Sequence, residues 1–385
     1  MAVGIPYAPD LVGCYPRKLN VANVKKSIAV VVMCLCLLVG CKATPNELGD
    51  VITPTPASTD NGVAGVYNMP PTVPTYILSE SNIRLLVVED LLVLGPQQLM
   101  WARMEILARH GFIMEEPELR NYFACQDWYT PKQGDITAGL SQIEQDNIEL
   151  IRQREDDLRQ RVQVVELVDG RGLLQYGDSP ANLVELTEAA QACFRLTVGD
   201  AVGEFLTIEI TMVGELYQFV WAEQNCLAVP IIANGESQTA ILRVDGGQIS
   251  YLGTIFADHN SICPLEDGTF RVAQAGKWLH NWETERTVLM SNDALSRKPE
   301  QLFCMYTPVT LIDSLPLYAT PAVSQNTATL PAGTQAKLLW STIDGTIYVE
   351  SPAGNGWFAM GDPEHLADGR AGLDVFGAET LILFN

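Results

Sequence analysis

The sequence predicts a multidomain α+β chain in which a small helical module is followed by an antiparallel all-β middle domain and a small β unit at the end. Three observations carry this. Between Pro96 and Arg161 apolar residues recur at helical spacing, with prolines at two helix starts and Ser141 ahead of a third. From Val162 the period drops to two, and short apolar runs alternate with turn pairs such as Asp267-Gly268. From Tyr306 the strand period continues with its own turn signals, Pro331-Ala332-Gly333 among them. At 385 residues the chain has room for roughly two to four cores.

In chain order, the first feature is a leader. Lys25 and Lys26 precede an apolar run from Ile28 to Val39. A run of that length falls short of the about 20 residues that a membrane-spanning helix needs. It ends in Leu38-Val39-Gly40-Cys41, which resembles the lipobox of bacterial lipoproteins. That resemblance implies a lipid on Cys41, cleavage before it, and a chain held on the outer face of the bacterial cytoplasmic membrane or at the cell surface. An ordinary cleaved signal peptide or a short buried helix is the alternative. Residues 1–23 hold prolines and no continuous apolar run, so they are expected to be an upstream extension, with the signal peptide at 24–40 and translation starting at Val24.

Residues 41–75 are rich in Thr, Pro, Ser and Gly, as in Thr53 to Gly62 (TPTPASTDNG). Such composition buries too little apolar surface to offset its ordering entropy and reads as a tether. About thirty residues at roughly 3 Å each reach some 90 Å at most. Charge limits what the tether can reach. The chain has 24 Lys+Arg against 46 Asp+Glu; Arg17, Lys18, Lys25, Lys26 and Asp10 precede Cys41, so the remainder carries 20 against 45, a net −25. That excludes nucleic acid as a natural partner and repels anionic headgroups, so attachment to a membrane has to be hydrophobic.

The helical module is expected over 76–160. Pro96 fits the first helical position and Gly111 the position just past the end. Leu99, Ala102 and Ile106 share a face, Glu105 precedes Arg109 by four as a surface pair would, and Arg109 and His110 set positive charge at the C-terminal dipole. A second helix opens at Pro117, and a third at Ser141, where Ser141 and Glu144 make a capping-box pattern. Its later part, Arg152 to Arg161, is dense in charge and reads as solvated. Trp128 and Tyr129 read first as core aromatics and second as a ligand platform.

Met100 to Phe112 (MWARMEILARHGF), then Tyr122-Phe123, Trp128-Tyr129 and Glu144-x-x-Asn147-Ile148-x-x-Ile151 together resemble the YARHG domain, a small module of exported bacterial proteins. The resemblance covers Tyr76 to Arg154; Leu107 stands where that family has the tyrosine of its name. It implies an exported helical module and no particular reaction.

The middle domain is expected over 161–305, with strands including Cys193–Val198, Phe205–Met212, Tyr217–Trp221, Ala240–Val244, Ile249–Ile255 and Thr269–Ala273, and tight turns at Asp245-Gly246-Gly247 and Asp267-Gly268. Beyond Cys41 the cysteines are Cys125, Cys193, Cys226, Cys263 and Cys304. In an exported chain one or two disulfides would be expected among the last four, and no CxxC points to zinc or to redox catalysis.

The last unit, 306–385, contains Leu317-Tyr318, Pro321, Leu330-Pro331-Ala332-Gly333-Thr334 and Gly356-Trp357. These residues resemble a bacterial Src-homology-3-like (SH3-like) small β-barrel. The resemblance implies binding of cell-wall peptides or other extended ligands, with Tyr318, Trp340 and Trp357 as the aromatics to examine. Arg109, His110 and Trp128 are the corresponding candidates in the helical module.

Signals for catalysis are sparse. His110, His259, His280 and His365 lie in no metal-binding spacing, and no P-loop, GxGxxG or nucleophile elbow is present, so no cofactor is expected. Two classes of function remain. One is a lipid-anchored binding or scaffolding protein of the cell envelope, contacting peptidoglycan or a cell-surface protein, with sensing of a protein partner as a variant. The other is a wall-modifying hydrolase with its site around Asp258, His259 and Asp267. Nothing in the sequence fixes an oligomeric state.

Overall fold

The computed structural model describes residues 75–377 apart from 134–138, 191–192, 207–214, 234–235, 246, 256–260, 276–277, 280–282, 292–293, 298–301, 323–325 and 343. Cys41, Asp258, His259 and His280 lie outside the described residues.

Three helices open the fold where the capping signals place them: α1 (Pro96–Arg109), α2 (Pro117–Ala124) and α3 (Gln142–Gln160). Gly111 continues the end of α1 with φ +95°, a conformation open to glycine at little cost. A Cβ there would also press on the Lys132 side chain at 2.8 Å. At the start of α3 the Ser141 hydroxyl accepts the Glu144 N–H at 3.3 Å, and Glu144 Oε2 accepts the Ser141 N–H at 2.9 Å. Leu99, Ala102 and Ile106 are all fully buried, packed with Ile151 and Leu158 of α3.

The middle strands run β1 (Gln163–Glu166), β2 (Arg171–Leu174), β3 (Asn182–Ala190), β4 (Cys193–Val198), β5 (Ala201–Leu206), β6 (Glu215–Trp221), β7 (Gln224–Ala233), β8 (Glu236–Asp245), β9 (Gln248–Ile255), β10 (Ile262–Pro264), β11 (Thr269–Ala275), β12 (Glu283–Ser291) and β13 (Ala294–Arg297). They form three antiparallel sheets, ordered β2-β3-β4-β5, β1-β6-β7-β8-β9 and β10-β11-β12-β13. The five-stranded sheet is buried on both faces. Leu216, Leu227, Val229 and Leu242 meet Leu174, Val184, Phe194 and Leu196 on one side, and Tyr217, Phe219, Trp221 and Ile241 meet Ile262, Phe270, Val272 and Val288 on the other.

The terminal strands are β14 (Phe303–Thr310), β15 (Leu315–Tyr318), β16 (Asn326–Leu330), β17 (Gln335–Ser341), β18 (Thr346–Ser351) and β19 (Gly354–Ala359), followed by α4 (Gly372–Phe376). They pair in the order β14-β17-β18-β19-β15-β16, an open sheet: no pairing between β16 and β14 closes a barrel among the described residues. Strand β14 is in contact instead with α2 and with β12. Trp278 and Leu279, from the connection between β11 and β12, sit in the core of this terminal sheet with Leu317, Leu338, Ile347 and Phe358. Helices, middle sheets and terminal sheet therefore share cores; Tyr306, Leu339 and Trp340 likewise pack among Trp101, Tyr122 and Phe123 of α1 and α2.

The α1 N-terminus is joined to the third middle sheet through side chains. Glu285 of β12 accepts the Gln97 N–H, its own N–H donates to Gln97 Oε1 at 3.2 Å, and Gln97 Nε2 donates to Glu118 Oε1 at 2.7 Å. Arg271 of β11 donates to the Val93 carbonyl at 3.1 Å. Burial pushes the Glu285 carboxyl up to about 7; the Gln97 N–H and Arg271 oppose that, and Glu118 adds to it. No disulfide forms among Cys125, Cys226, Cys263 and Cys304, each of which is a free thiol, against the expectation from an exported chain. They lie in apolar surroundings of separate elements, and burial pushes each thiol up to about 12.

Candidate functional site

Several charged residues of the helical module, Arg103, Glu105, Arg154 and Glu155 among them, face inward. The expected surface pair of Glu105 and Arg109 is buried at Glu105, 0% exposed, because the segment from Thr75 to Ser81 folds over it. Glu105 accepts the Ile77 N–H at 2.7 Å and an Arg109 N–H at 2.5 Å. Burial raises the Glu105 carboxyl above its ordinary range despite these bonds. Arg109 also donates to the Leu78 carbonyl at 3.0 Å and to the Ser81 hydroxyl at 3.3 Å, and its guanidinium stacks 4.3 Å from the Tyr76 ring centre.

His110 Nε2 lies 2.8 Å from Glu144 Oε1, tying the end of α1 to the start of α3. Burial works to raise the Glu144 carboxyl, but His110 and Ser141 outweigh it and hold it below its usual value. Asn147, 1% exposed, accepts the Leu86 N–H and donates to the Ser81 and Arg84 carbonyls, each at 2.8 Å. Arg103 and Glu155 form a buried pair at 3.0 Å, and Arg154 reaches Glu266 of the middle domain at 2.5 Å. The charged end of α3 is thus only partly solvated, since one of its faces meets α1 and the β10–β11 turn. Arg109 and His110 act as a brace, with their hydrogen-bonding capacity directed into the protein.

Trp128 is half-buried, with Nε1–H donated to the Thr75 carbonyl at 2.8 Å and its ring 5.2 Å from Tyr76. It too fastens the entering chain.

The three aromatics of the last unit come together. Strand register places Trp340 opposite Tyr348, Tyr348 opposite Trp357, and Trp357 opposite Tyr318, so one row crosses β17, β18, β19 and β15 on a single face. Residues of this row and of the core alternate along β18: Ile347 and Val349 point into the core, Tyr348 and Glu350 to the other face. Trp340 is covered by Tyr306 at 5.4 Å and through it by Trp101, and Trp357 is 2% exposed. Both tryptophans pack; Tyr318 and Tyr348 keep partly open surfaces.

Beside this row on the same face runs a second one, Pro308, Lys337 and Glu350. Together with Ala124 and Asp127 at the end of α2 it walls a cleft of about 670 Å³. Lys337 Nζ lies 2.7 Å from Asp127, whose side chain is 94% exposed. Sequence reading missed Asp127, Lys337, Glu350 and Tyr348, because only strand register brings them together. A second hollow of about 460 Å³ lies at β1, β2 and β6, but its glutamines are spent on one another: Gln218 Nε2 donates to Gln163 Oε1 at 2.6 Å and to the Gln175 carbonyl at 2.7 Å.

Of the catalytic alternative only Asp267 is described, and its carboxylate accepts the Thr269 N–H at 2.9 Å and the Thr269 hydroxyl at 2.6 Å, which shapes the turn into β11. Among the described residues no group of three or more His, Cys, Asp or Glu could hold a metal ion, and no helix is long and apolar enough to cross a membrane.

The helical module is a YARHG domain: residues 74–156 match that family. The match takes in the brace described above from Tyr76 through Glu155. No curated protein and no solved structure matches the chain.

Proposed function

We propose that this protein is a lipid-anchored binding protein of the bacterial cell envelope, held through Cys41 and the segment that follows it and contacting cell wall or a surface partner with its terminal sheet. The cleft walled by Asp127, Lys337 and Glu350 carries the reading, because it pairs exposed charge with prolines and strand backbone at a seam between two elements. The leader ending in Leu38-Val39-Gly40-Cys41 supports the anchor, and the acidic body supports a hydrophobic rather than electrostatic attachment. Kinship of the terminal sheet with bacterial SH3-like modules is supported by Gly333, at φ +83° in its Leu-Pro-Ala-Gly-Thr turn, and by Tyr318 set opposite Trp357. An open sheet packed against a helical partner then takes the place of a closed barrel.

Two measurements test this. Labelled fatty acid should enter the full chain and be lost in Cys41→Ala; continued labelling of that variant removes the anchor. Sedimentation with purified peptidoglycan should retain the chain without releasing fragments, whereas fragment release abolished by His259→Ala would establish the hydrolase instead.

A further inference from the structure

We infer that the outer face of the sheet β2-β3-β4-β5 is where two copies of this chain meet, face to face about a two-fold axis. The inference goes beyond the binding reading and does not depend on it.

Alternation along the strands provides the first reason. Leu174, Val184 and Ala201 lie in the core beneath this sheet, so their chain neighbours Leu173, Leu183 and Val202 point outward. Val165 and Leu167 pack on the same core from β1 and the turn after it, which directs Val164 and Val168 outward as well. All five are open, from 52% exposed at Leu183 to 73% at Val168. Strand register sets Leu173 opposite Leu183, and Val164 shares the rim of a hollow with Leu173. An antiparallel sheet with one face in water keeps that face polar, whereas strands apolar on both faces, as at Leu173-Leu174 and Leu183-Val184, belong to a sheet covered on both. Strand β7 has that character where its own sheet is covered twice.

Area provides the second. The five residues leave on the order of 500 Å² open, close to the apolar part of the about 800 Å² that each partner buries in a standard stable interface.

Charge provides the third and selects a second copy as the occupant. Arg171 and Arg195 share the outward positions with Glu166, Glu185 and Glu204, two cations against three carboxylates in a chain of net charge −22. Two copies of so acidic a chain repel each other least across a face of mixed sign. Arg171 lies 2.9 Å from Glu185 with its side chain 63% exposed, so it can also face Glu185 of the other copy. The other run of open aliphatics, from Ile83 to Val93, is placed differently: Glu80, Glu89 and Asp90 flank it, and Arg84 is already held by Glu80 and Asp90. Two copies joined there would set carboxylate against carboxylate.

Sedimentation equilibrium of the full-length chain, in a detergent matched to the solvent density, tests this. The chain should show twice the mass of one copy by about 10 μM. Leu183→Asp and Val202→Lys, on two different strands and both at exposed positions, should each raise the dissociation constant about ten-fold or more while circular dichroism stays native. Leu85→Asp, on the other aliphatic run, should leave it unchanged. The mass of one copy up to about 100 μM, a dimer that both sheet variants leave intact, or one that Leu85→Asp dissolves would overturn the inference. A double mass that falls to one copy when detergent is raised in excess reports a shared micelle and also counts against it.

Discussion

Replacing Asn147 by alanine isolates the brace of the helical module. Its side chain makes three hydrogen bonds of 2.8 Å to backbone groups some sixty residues earlier in the chain. Two of those groups belong to buried residues, Leu86 at 6% exposure and Ser81 at 0%, and the third to Arg84, which is open to water. A buried polar group left without a partner costs about 1–3 kcal/mol, while the Arg84 carbonyl can be hydrated, so the loss should total roughly 3 kcal/mol. Asn147→Asp keeps the acceptor for Leu86 but removes both donors and sets a carboxylate against two carbonyls, so it should cost at least as much. Urea unfolding followed by tryptophan fluorescence, with Trp101 and Trp128 reporting on this module, measures both. A loss below about 1 kcal/mol for Asn147→Ala would refute the reasoning, since it would mean that the segment before α1 is not held by this residue.

Further expectations concern the joints between elements and the thiols. Glu285 has a folded carboxyl raised to about 7 from an ordinary 4.5, so the folded chain keeps a proton there that the unfolded chain releases; stability should fall as pH rises from 4.5 to 7 and be level in this respect above. Glu285→Gln should remove that slope and stabilise the protein at pH 8, by on the order of 3 kcal/mol at most, with no gain at pH 4.5. Glu266, held down to about 2 by Arg154 and Arg161 in spite of its burial, acts in the opposite sense, and its contribution should be lost as pH falls from 4.5 through 2. Trp278→Ala should destabilise the terminal sheet by about 3–5 kcal/mol, because the ring lies in that core and against Gly345. For the same reason a fragment beginning at Phe303 should fail to fold alone, as judged by circular dichroism. Cys125, Cys226 and Cys263 should resist maleimide in the native protein and react on unfolding, and reductant should leave the melting temperature unchanged.

Local signals were enough for the helices. Pro96, Pro117 and Ser141 open them and Gly111 follows the first, because capping is a matter of a few neighbouring residues. The hairpin glycines Gly247 and Gly268, at φ +85° and +76°, were legible for the same reason. Strand β7 was less so: Gln224–Ala233 reads as a continuous apolar run, since its sheet is buried on both faces and alternation has no solvent side to record. Glu105, Arg154 and Glu155 look like a solvated surface in sequence, and their burial follows only from what packs over them. Among the aromatics, Tyr318, Trp340 and Trp357 could be singled out one by one, but their alignment with Tyr348, and the charged row beside it, depend on register across strands far apart in the chain.

The YARHG domain braces the fold, the seam at Asp127, Lys337 and Glu350 is the proposed ligand site, and one measurement addresses both. Hydrogen–deuterium exchange of the full-length chain, with and without soluble peptidoglycan fragments, reports every backbone segment at once. Slower exchange confined to peptides covering Pro308–Thr310, Gln335–Lys337 and Glu350–Pro352, with Glu105–Gly111 unchanged, is the predicted result. Protection centred on Glu105–Gly111, or none anywhere, would contradict it.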